Sequence, residues 1–572
     1  MSPPRTAASA APLVDLAGLR VTFDGVNGGR PVVDDVDLLI RPGECVALVG
    51  ESGSGKSVTA RCLLDLAGPG ARVSARRFLI DGADASRFDA ARWRRLRGTF
   101  AGLVMQDALV SLDPLRTIGQ EVGEGVAVHG LVRGRGAVAE RVVETLARVG
   151  IPDPAVRAGQ YAHQLSGGLR QRALIAAAIA GGPRLVIADE PTTALDATVQ
   201  KQVLAVLSRR VRDEGAGLLL ISHDLAVVAE IADRVQVMRA GRVVDAGPTR
   251  AVLARPRHPY TRRLLAAVPS AASRGCRLAS ARIEAAPEGV SRPGAGPGTV
   301  RILRERLPPR PAATGRTVLE AEGLTKRYRR RGGHGDLLAL DDVSFTVGAG
   351  EVVGLVGESG SGKSTCAKIV LGLLEPDAGR VRLLGQPWSG LTERARRPLR
   401  PRLQYIPQDP LSSFDPRYRV RDIIAENLAG VPRRGIEERV CLLLDQVGLD
   451  AGLLDRFPRA MSGGQRQRVA IARALAAEPA LVVCDEPVSA LDIGVQAQVV
   501  DLIGELQARL GTALLFISHD IGLVQHVADR VLVLSDGRVV EDGPVDDVLV
   551  RPAHAYTRSL LDAVPKPFAA HA

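Results

Sequence analysis

The sequence predicts an α/β chain made of two tandem copies of one domain, each a parallel sheet flanked by helices. Three observations carry this. Long segments recur almost unchanged in the two halves, short apolar runs end in chemically active residues, and alanine- and leucine-rich helical stretches lie between those runs.

The repeat sets the architecture. VALVGESGSGKS at 46–57 returns as VGLVGESGSGKS at 353–364, SGGLRQRALIAAAIA at 166–180 as SGGQRQRVAIARALA at 462–476, and ISHDLAVVAEIADRV at 221–235 as ISHDIGLVQHVADRV at 517–531. Lys56 and Lys363 stand 307 residues apart, whereas Ser166 and Ser462, Asp189 and Asp485, and His223 and His519 each stand 296 apart. The first half therefore carries 11 extra residues between its glycine-rich loop and its SGG segment. Self-similarity of this kind marks a duplicated domain.

Within each half the runs ECVALVG (44–50), LVIADE (185–190) and LLLISHD (218–224) have the length and composition of buried parallel strands. Strands alternating with helices give a parallel sheet. Residues 90–165 are richer in helix signals and read as a separate helical subdomain. The stretch 270–316 holds six Pro, six Gly and nine Arg against three Glu, without helical or strand periodicity, and reads as a linker. The expected organisation is a flexible tail at 1–11, a first domain at 12–269, the linker at 270–316 and a second domain at 317–572.

Composition narrows the function classes. Apolar residues make up 46% and charged residues 24%, as in ordinary globular protein. Of the formal charge of +12, half lies in the 270–316 linker, and aromatics are only 3%. A base-stacking groove needs aromatics, so nucleic acid is not expected as a partner. The six cysteines (Cys45, Cys62, Cys276, Cys366, Cys441 and Cys484) form no CxxC pair, which fits a reducing compartment. No apolar run approaches the ~20 residues that span a bilayer, and the start, MSPPRTAASAAP, lacks the apolar stretch of a signal peptide. The expectation is a chain kept in the cytoplasm and held at a membrane, if at all, by partners.

The chemistry sits in short motifs. Gly50, Glu51, Ser52, Gly53, Ser54, Gly55, Lys56, Ser57 and Val58 follow one strand and open a helix; Gly357, Glu358, Ser359, Gly360, Ser361, Gly362, Lys363, Ser364 and Thr365 do the same in the second half. Glycines let backbone N–H groups wrap phosphates, the lysine adds a point charge at the β- and γ-phosphates, and Ser57 and Ser364 suit Mg²⁺. IADE (187–190) and VCDE (483–486) deliver Asp189 and Asp485 towards the Mg²⁺ shell, each followed by a glutamate, Glu190 or Glu486, able to polarise the attacking water. LSGGLRQR (165–172) and MSGGQRQR (461–468) place small residues at a helix start, where an anion can approach closely.

With a glycine-rich phosphate loop, then SGG, then a strand ending in DE, then SHD, both halves resemble ATP-binding-cassette ATPases over nearly the whole chain. The resemblance implies two P-loop NTPase domains in tandem, each with a RecA-like parallel-sheet core, a β subdomain and a helical subdomain. It implies a head-to-tail sandwich with ATP and Mg²⁺ at two composite sites. Lys56 would share one ATP with Ser462, Gly463, Gly464 and Gln465, and Lys363 the other with Ser166, Gly167 and Gly168. Gln106 and Gln408 match the Q-loop, near Mg²⁺ and the membrane partner. Asp196 and Asp492 match the D-loop, His223 and His519 the switch histidine, and Phe23 and Tyr328 the aromatic stacked on adenine. The departures are Leu169 where the family commonly has Gln, Met461 for Leu, and Val58 where the second half has Thr365. None removes a charge or a glycine.

The segments RPRHPYTRRLLAAVP (255–269) and RPAHAYTRSLLDAVP (551–565), with SLDP (111–114) and SFDP (413–416), resemble pieces of the ATPases of oligopeptide, dipeptide, nickel and glutathione importers. That implies a peripheral subunit on the cytoplasmic face of a bacterial inner membrane, working with two transmembrane permeases and an extracytoplasmic solute-binding protein. Only Cys276 lies where many members carry clustered cysteines, so no iron–sulfur cluster is expected. Two alternatives stay open. One is a ribosome-associated tandem cassette, which the prolines of the linker (Pro287, Pro293, Pro297, Pro308, Pro309 and Pro311) disfavour because they break a helical connector. The other is the ATPase of an exporter built from separate subunits.

Overall fold

A computed structural model describes residues 11–24, 30–106, 108–193, 195–285, 300–310, 315–329, 336–428, 432–489 and 491–564. The expected tail at 1–11 lies almost wholly outside these residues, as do parts of the linker.

Each half is built on a six-stranded sheet. In the first half the order is Arg242–Pro248, Arg234–Arg239, Cys45–Val49, Gly217–Ile221, Leu185–Asp189, Ala101–Val104, parallel except for the edge pair Arg234–Arg239 and Arg242–Pro248. The three apolar runs read from the sequence are the central strands, and all five residues of each are buried. Burial on both faces is why they are unbroken apolar runs rather than alternating ones. The second half repeats the order as Arg538–Pro544, Arg530–Ser535, Val352–Val356, Ala513–Ile517, Leu481–Asp485, Leu403–Ile406. An antiparallel sheet packs beside each core: Val14–Phe23 pairs with Val33–Ile40, and Thr317–Arg329 with Asp336–Gly348.

The 90–165 stretch is not helical throughout. Ala101–Val104 is an edge strand of the parallel sheet, and the helices Ile118–Val128, Arg135–Arg148 and Pro154–Ala158 follow it. A four-residue strand is too short to register as a period; its pairing with Leu185–Asp189 defines it. Ile118–Val128 starts with Thr117 and Gln120 closing a capping box.

The 270–316 segment departs further from expectation. Arg282–Ala285 and Val300–Leu303 pair antiparallel, and Ala271–Ser273 forms a 3₁₀ turn. Such a pair is marginal alone; Ile283 and Ile302 pack with Leu265 and Ala266 of the first half's tail, while the residues flanking the pair are held by the second half. Leu278 lies in the second half's core. The Asp501 carboxylate accepts from the backbone N–H groups of Leu278 (2.7 Å) and Ala279 (2.8 Å). Arg310 donates to Asp529 and to the Val527 carbonyl, and the Ser273 hydroxyl lies 2.9 Å from His526 Nδ1. Tertiary contacts of this kind carry no local periodicity.

Burial, with the charges of Arg304, Arg310 and Arg274, pulls the His526 imidazole down to about 4, while its bond to Ser273 opposes that shift. The folded form thus holds His526 neutral, and the unfolded chain binds the extra proton between about pH 6.5 and 4. The stability from this seam is complete above about 6.5 and is lost as pH falls towards 4, by about 3 kcal/mol in all. Amides of residues 273–279 should lose hydrogen-exchange protection over that range in the wild type. In His526→Gln they should show a flat profile, and equal profiles for the two proteins would refute the assignment.

Candidate functional site

The glycine-rich loops join the strands Cys45–Val49 and Val352–Val356 to the helices Lys56–Cys62 and Lys363–Val370. Gly50 has φ +153°, and a Cβ there would sit 2.2 Å from the Met238 carbonyl oxygen, so no other residue fits. Gly55 caps the first helix at φ 99°. Lys56 and Lys363 are buried. Lys56 Nζ donates to the carbonyls of Gly50 (2.7 Å) and Glu51 (2.9 Å), and Lys363 Nζ to those of Gly357 and Glu358 (both 2.7 Å). Burial holds both ammonium groups below their ordinary pKa, against the pull of the facing Glu190 and Glu486. Ser54 Oγ and Ser361 Oγ are buried in the loops without a protein partner. A concave loop that offers a cation and unsatisfied hydroxyls is suited to an anion.

The strand ends supply the carboxylates. Ser57 Oγ donates to Asp189 Oδ1 at 2.9 Å, with Arg61 3.8 Å from the same carboxylate. In the second half Tyr405 Oη donates to Asp485 Oδ2 at 3.4 Å. Leu103 occupies the equivalent place in the first half, so this contact is one-sided. Burial raises both aspartates. Serine and carboxylate oxygens side by side are donors of the kind a hard divalent cation takes.

Glu190 and Glu486 follow at φ 50° and 47°, in the left-handed region that bulky residues avoid. Such strain, of order 1–3 kcal/mol, concentrates at working sites. Glu190 Oε2 accepts from Gln106 Nε2 (2.8 Å) and Thr193 Oγ1 (3.0 Å) and lies 3.3 Å from His223 Nδ1. Glu486 accepts from Gln408 Nε2 at 2.8 Å and lies 3.1 Å from His519 Nδ1. Burial disfavours ionisation here, but the histidine and lysine outweigh it and keep both glutamates below the usual carboxylate range. The histidines are correspondingly lifted above the ordinary imidazole value despite burial. Each half thus brings its lysine, Asp, Glu, Gln and His together at the carboxyl ends of adjacent parallel strands, where open α/β sheets bind ligands.

The halves also meet head to tail. Asp196 Oδ2 of the first half accepts from Ser359 N in the second half's loop (3.2 Å), and Thr198 Oγ1 donates to Glu358 Oε1 (2.5 Å). Reciprocally, Gly494 of the second half abuts Glu51 of the first. Ser166, Gly167, Ser462 and Gly463 are exposed at the starts of the helices Gly167–Ile179 and Gly463–Leu475. Ser462 and Gln465 close a capping box, whereas Leu169 cannot return that second bond and packs on the first half's core instead. Tyr328 is 38% exposed; Phe23 is half-buried against the first half's β-sheet core.

Sequence reasoning missed Tyr260 and Tyr556. Their hydroxyls accept from the backbone N–H of Glu51 and of Glu358, both at 2.9 Å, so each tail buttresses a glycine-rich loop. The signal was the tyrosine at one place in both tails, which motif reading used only as a family marker. Tyr260→Phe should weaken ATP binding at the first loop about fivefold, the worth of one neutral hydrogen bond. A titration with unchanged affinity would refute the buttress.

Comparison with known proteins agrees with this geometry. The family model described as ABC transporter matches residues 33–193 and 340–489, and that described as oligopeptide/dipeptide transporter, C-terminal region, matches 244–294 and 540–572. The chain is 40% identical to the oligopeptide transport ATP-binding protein OppD of Mycobacterium tuberculosis, covering 97% of this chain and 99% of that protein. It is 40% identical to the peptidoglycan transport ATP-binding protein YejF of Agrobacterium fabrum, covering 96% of each. It is also 38% identical to the glutathione import ATP-binding protein GsiA of Salmonella typhimurium, covering 97% and 89%.

Proposed function

The chain belongs to the ABC transporter ATPases, with the oligopeptide/dipeptide C-terminal region in both halves, and on that premise we propose that it is the energy-coupling subunit of an importer for peptides or related small solutes. The observation that carries the reading is the reciprocal seating of each half on the other's glycine-rich loop, which supports two composite ATP sites in one chain. The paired tails, each with a tyrosine on a loop, support the import branch of the family.

In this reading ATP lies on the two glycine-rich loops, with Lys56 and Lys363 leaving their carbonyl partners to meet the β- and γ-phosphates. Phe23 and Tyr328 flank adenine. Ser57, Asp189 and Gln106, and Ser364, Asp485 and Gln408, would hold Mg²⁺, whose charge offsets that of the phosphates when it is bound. Glu190 and Glu486 orient a water and take up its proton as its oxygen attacks the γ-phosphorus; the bond to the β–γ bridging oxygen breaks and ADP and phosphate result. His223 and His519 hold the glutamates in place and donate towards the γ-phosphate. The SGG segments, with Gln465 in the second half, close on the ATP of the opposite half, and Asp196 and Asp492 relay that closure.

No helix among the described residues is long and apolar enough to cross a membrane. In this reading, which rests on the family and the paired tails, the chain works at the cytoplasmic face of the cell membrane through two permease subunits, fed by an extracytoplasmic solute-binding protein. The test is reconstitution of the chain with the two permeases from its own gene neighbourhood in vesicles, with ATP inside and labelled peptide and the binding protein outside. ATP-dependent uptake is expected; ATP turnover that ignores the permeases, or chain recovered on ribosomes, would overturn the reading.

A further inference from the structure

The two halves do not grip each other equally. Glu358 is held at three points: its N–H by Tyr556 Oη (2.9 Å), its carbonyl by Lys363 Nζ (2.7 Å), and its carboxylate by Thr198 Oγ1 of the opposite half (2.5 Å). Glu51 matches it at the first two points, with Tyr260 Oη and Lys56 Nζ both at 2.9 Å. At the third point the repeat places Gly494 where the first half has Thr198. Glycine offers no hydroxyl, and a Cβ there would lie 2.9 Å from Glu51 Oε1. Burial, then the adjacent Asp492, raises the Glu51 carboxyl above its ordinary value, as expected of a carboxylate facing another without a donor between them.

We propose that Thr198 is a positioning residue that ties the Lys363 loop to the first half before nucleotide arrives, and that this one-sided tie makes the two ATP sites unequal. The proposal rests on the reading of two composite ATP sites given above. A loop already tied to the opposite half loses less conformational freedom when ATP binds and the halves close. The Lys363 site should therefore fill first and empty last, and the Lys56 site should be the one that opens between cycles. A hydrogen bond to a charged group is strong enough to separate the two affinities about tenfold.

The experiment uses the full chain with Glu190→Gln and Glu486→Gln to block hydrolysis, photolabelled with 8-azido-ATP over a concentration series. Proteolysis in the linker then separates the halves for counting. The second half should reach half-saturation at about tenfold lower nucleotide than the first. Thr198→Val should raise the second half's value towards that of the first, with the bond from Ser359 N–H to Asp196 still in place, and Thr198→Ser should restore the gap. Gly494→Thr should narrow the gap from the other side, since the obstructing atom is the tip of a flexible side chain that can turn and accept the new hydroxyl. Curves unchanged by Thr198→Val, or curves for both halves displaced together, would overturn the tie while leaving the ATPase reading intact. A parent protein that labels in neither half would overturn both.

Discussion

Glu190→Gln and Glu486→Gln, each introduced alone, should cut steady-state ATP turnover by about 10²–10⁴-fold while ATP binding stays intact. The substitution keeps the shape of the side chain and removes only its capacity to take a proton. In both halves that carboxylate sits between a glutamine amide at 2.8 Å and a histidine at 3.1–3.3 Å. The two environments match closely enough that neither half looks disabled. Because each closure requires both halves, loss at one site should stall the other as well. Turnover measured on each single variant decides this, and a silent substitution would mark its site as non-catalytic.

Lys56→Ala and Lys363→Ala should each weaken ATP binding at their own site by about 10–100-fold, the range for a bond between charged partners. Both lysines are buried and rest on backbone carbonyls. Removing one leaves those carbonyls unpaired, so the loop should also loosen. A melting curve with and without ATP separates the effects: the apo protein should melt slightly lower, while the ATP-induced rise should fall much further. An undiminished ATP-induced rise in both variants would argue against the lysines as phosphate ligands.

The sheet and the chemistry were legible because both are written locally. A buried parallel strand is an apolar run, and a loop that must approach phosphate closely needs glycine at fixed places such as Gly50. What escaped was written at long range. Tyr260 lies 209 residues from the N–H it accepts from, and Asp501 lies more than 220 from those it caps. The strands at 282–285 and 300–303 escaped because each is four residues long, too short to register as a period. The departure at Leu169 was visible in the sequence, but its meaning, a capping box left half made, needed Ser462 and Gln465 in place beside it.

The way each tail crosses to the other half has a kinetic corollary. Ala267 and Leu278 sink into the second half's core, and the carbonyl of Asp562 accepts from Lys201 in the first half. With the halves anchored to each other at these points, each meets its partner at an effective concentration set by geometry and not by how much protein is present. Closure around ATP is then a first-order event. Where two separate ATPase chains would have to find each other again after dilution, this one carries its partner with it, and its turnover per molecule should not change with concentration.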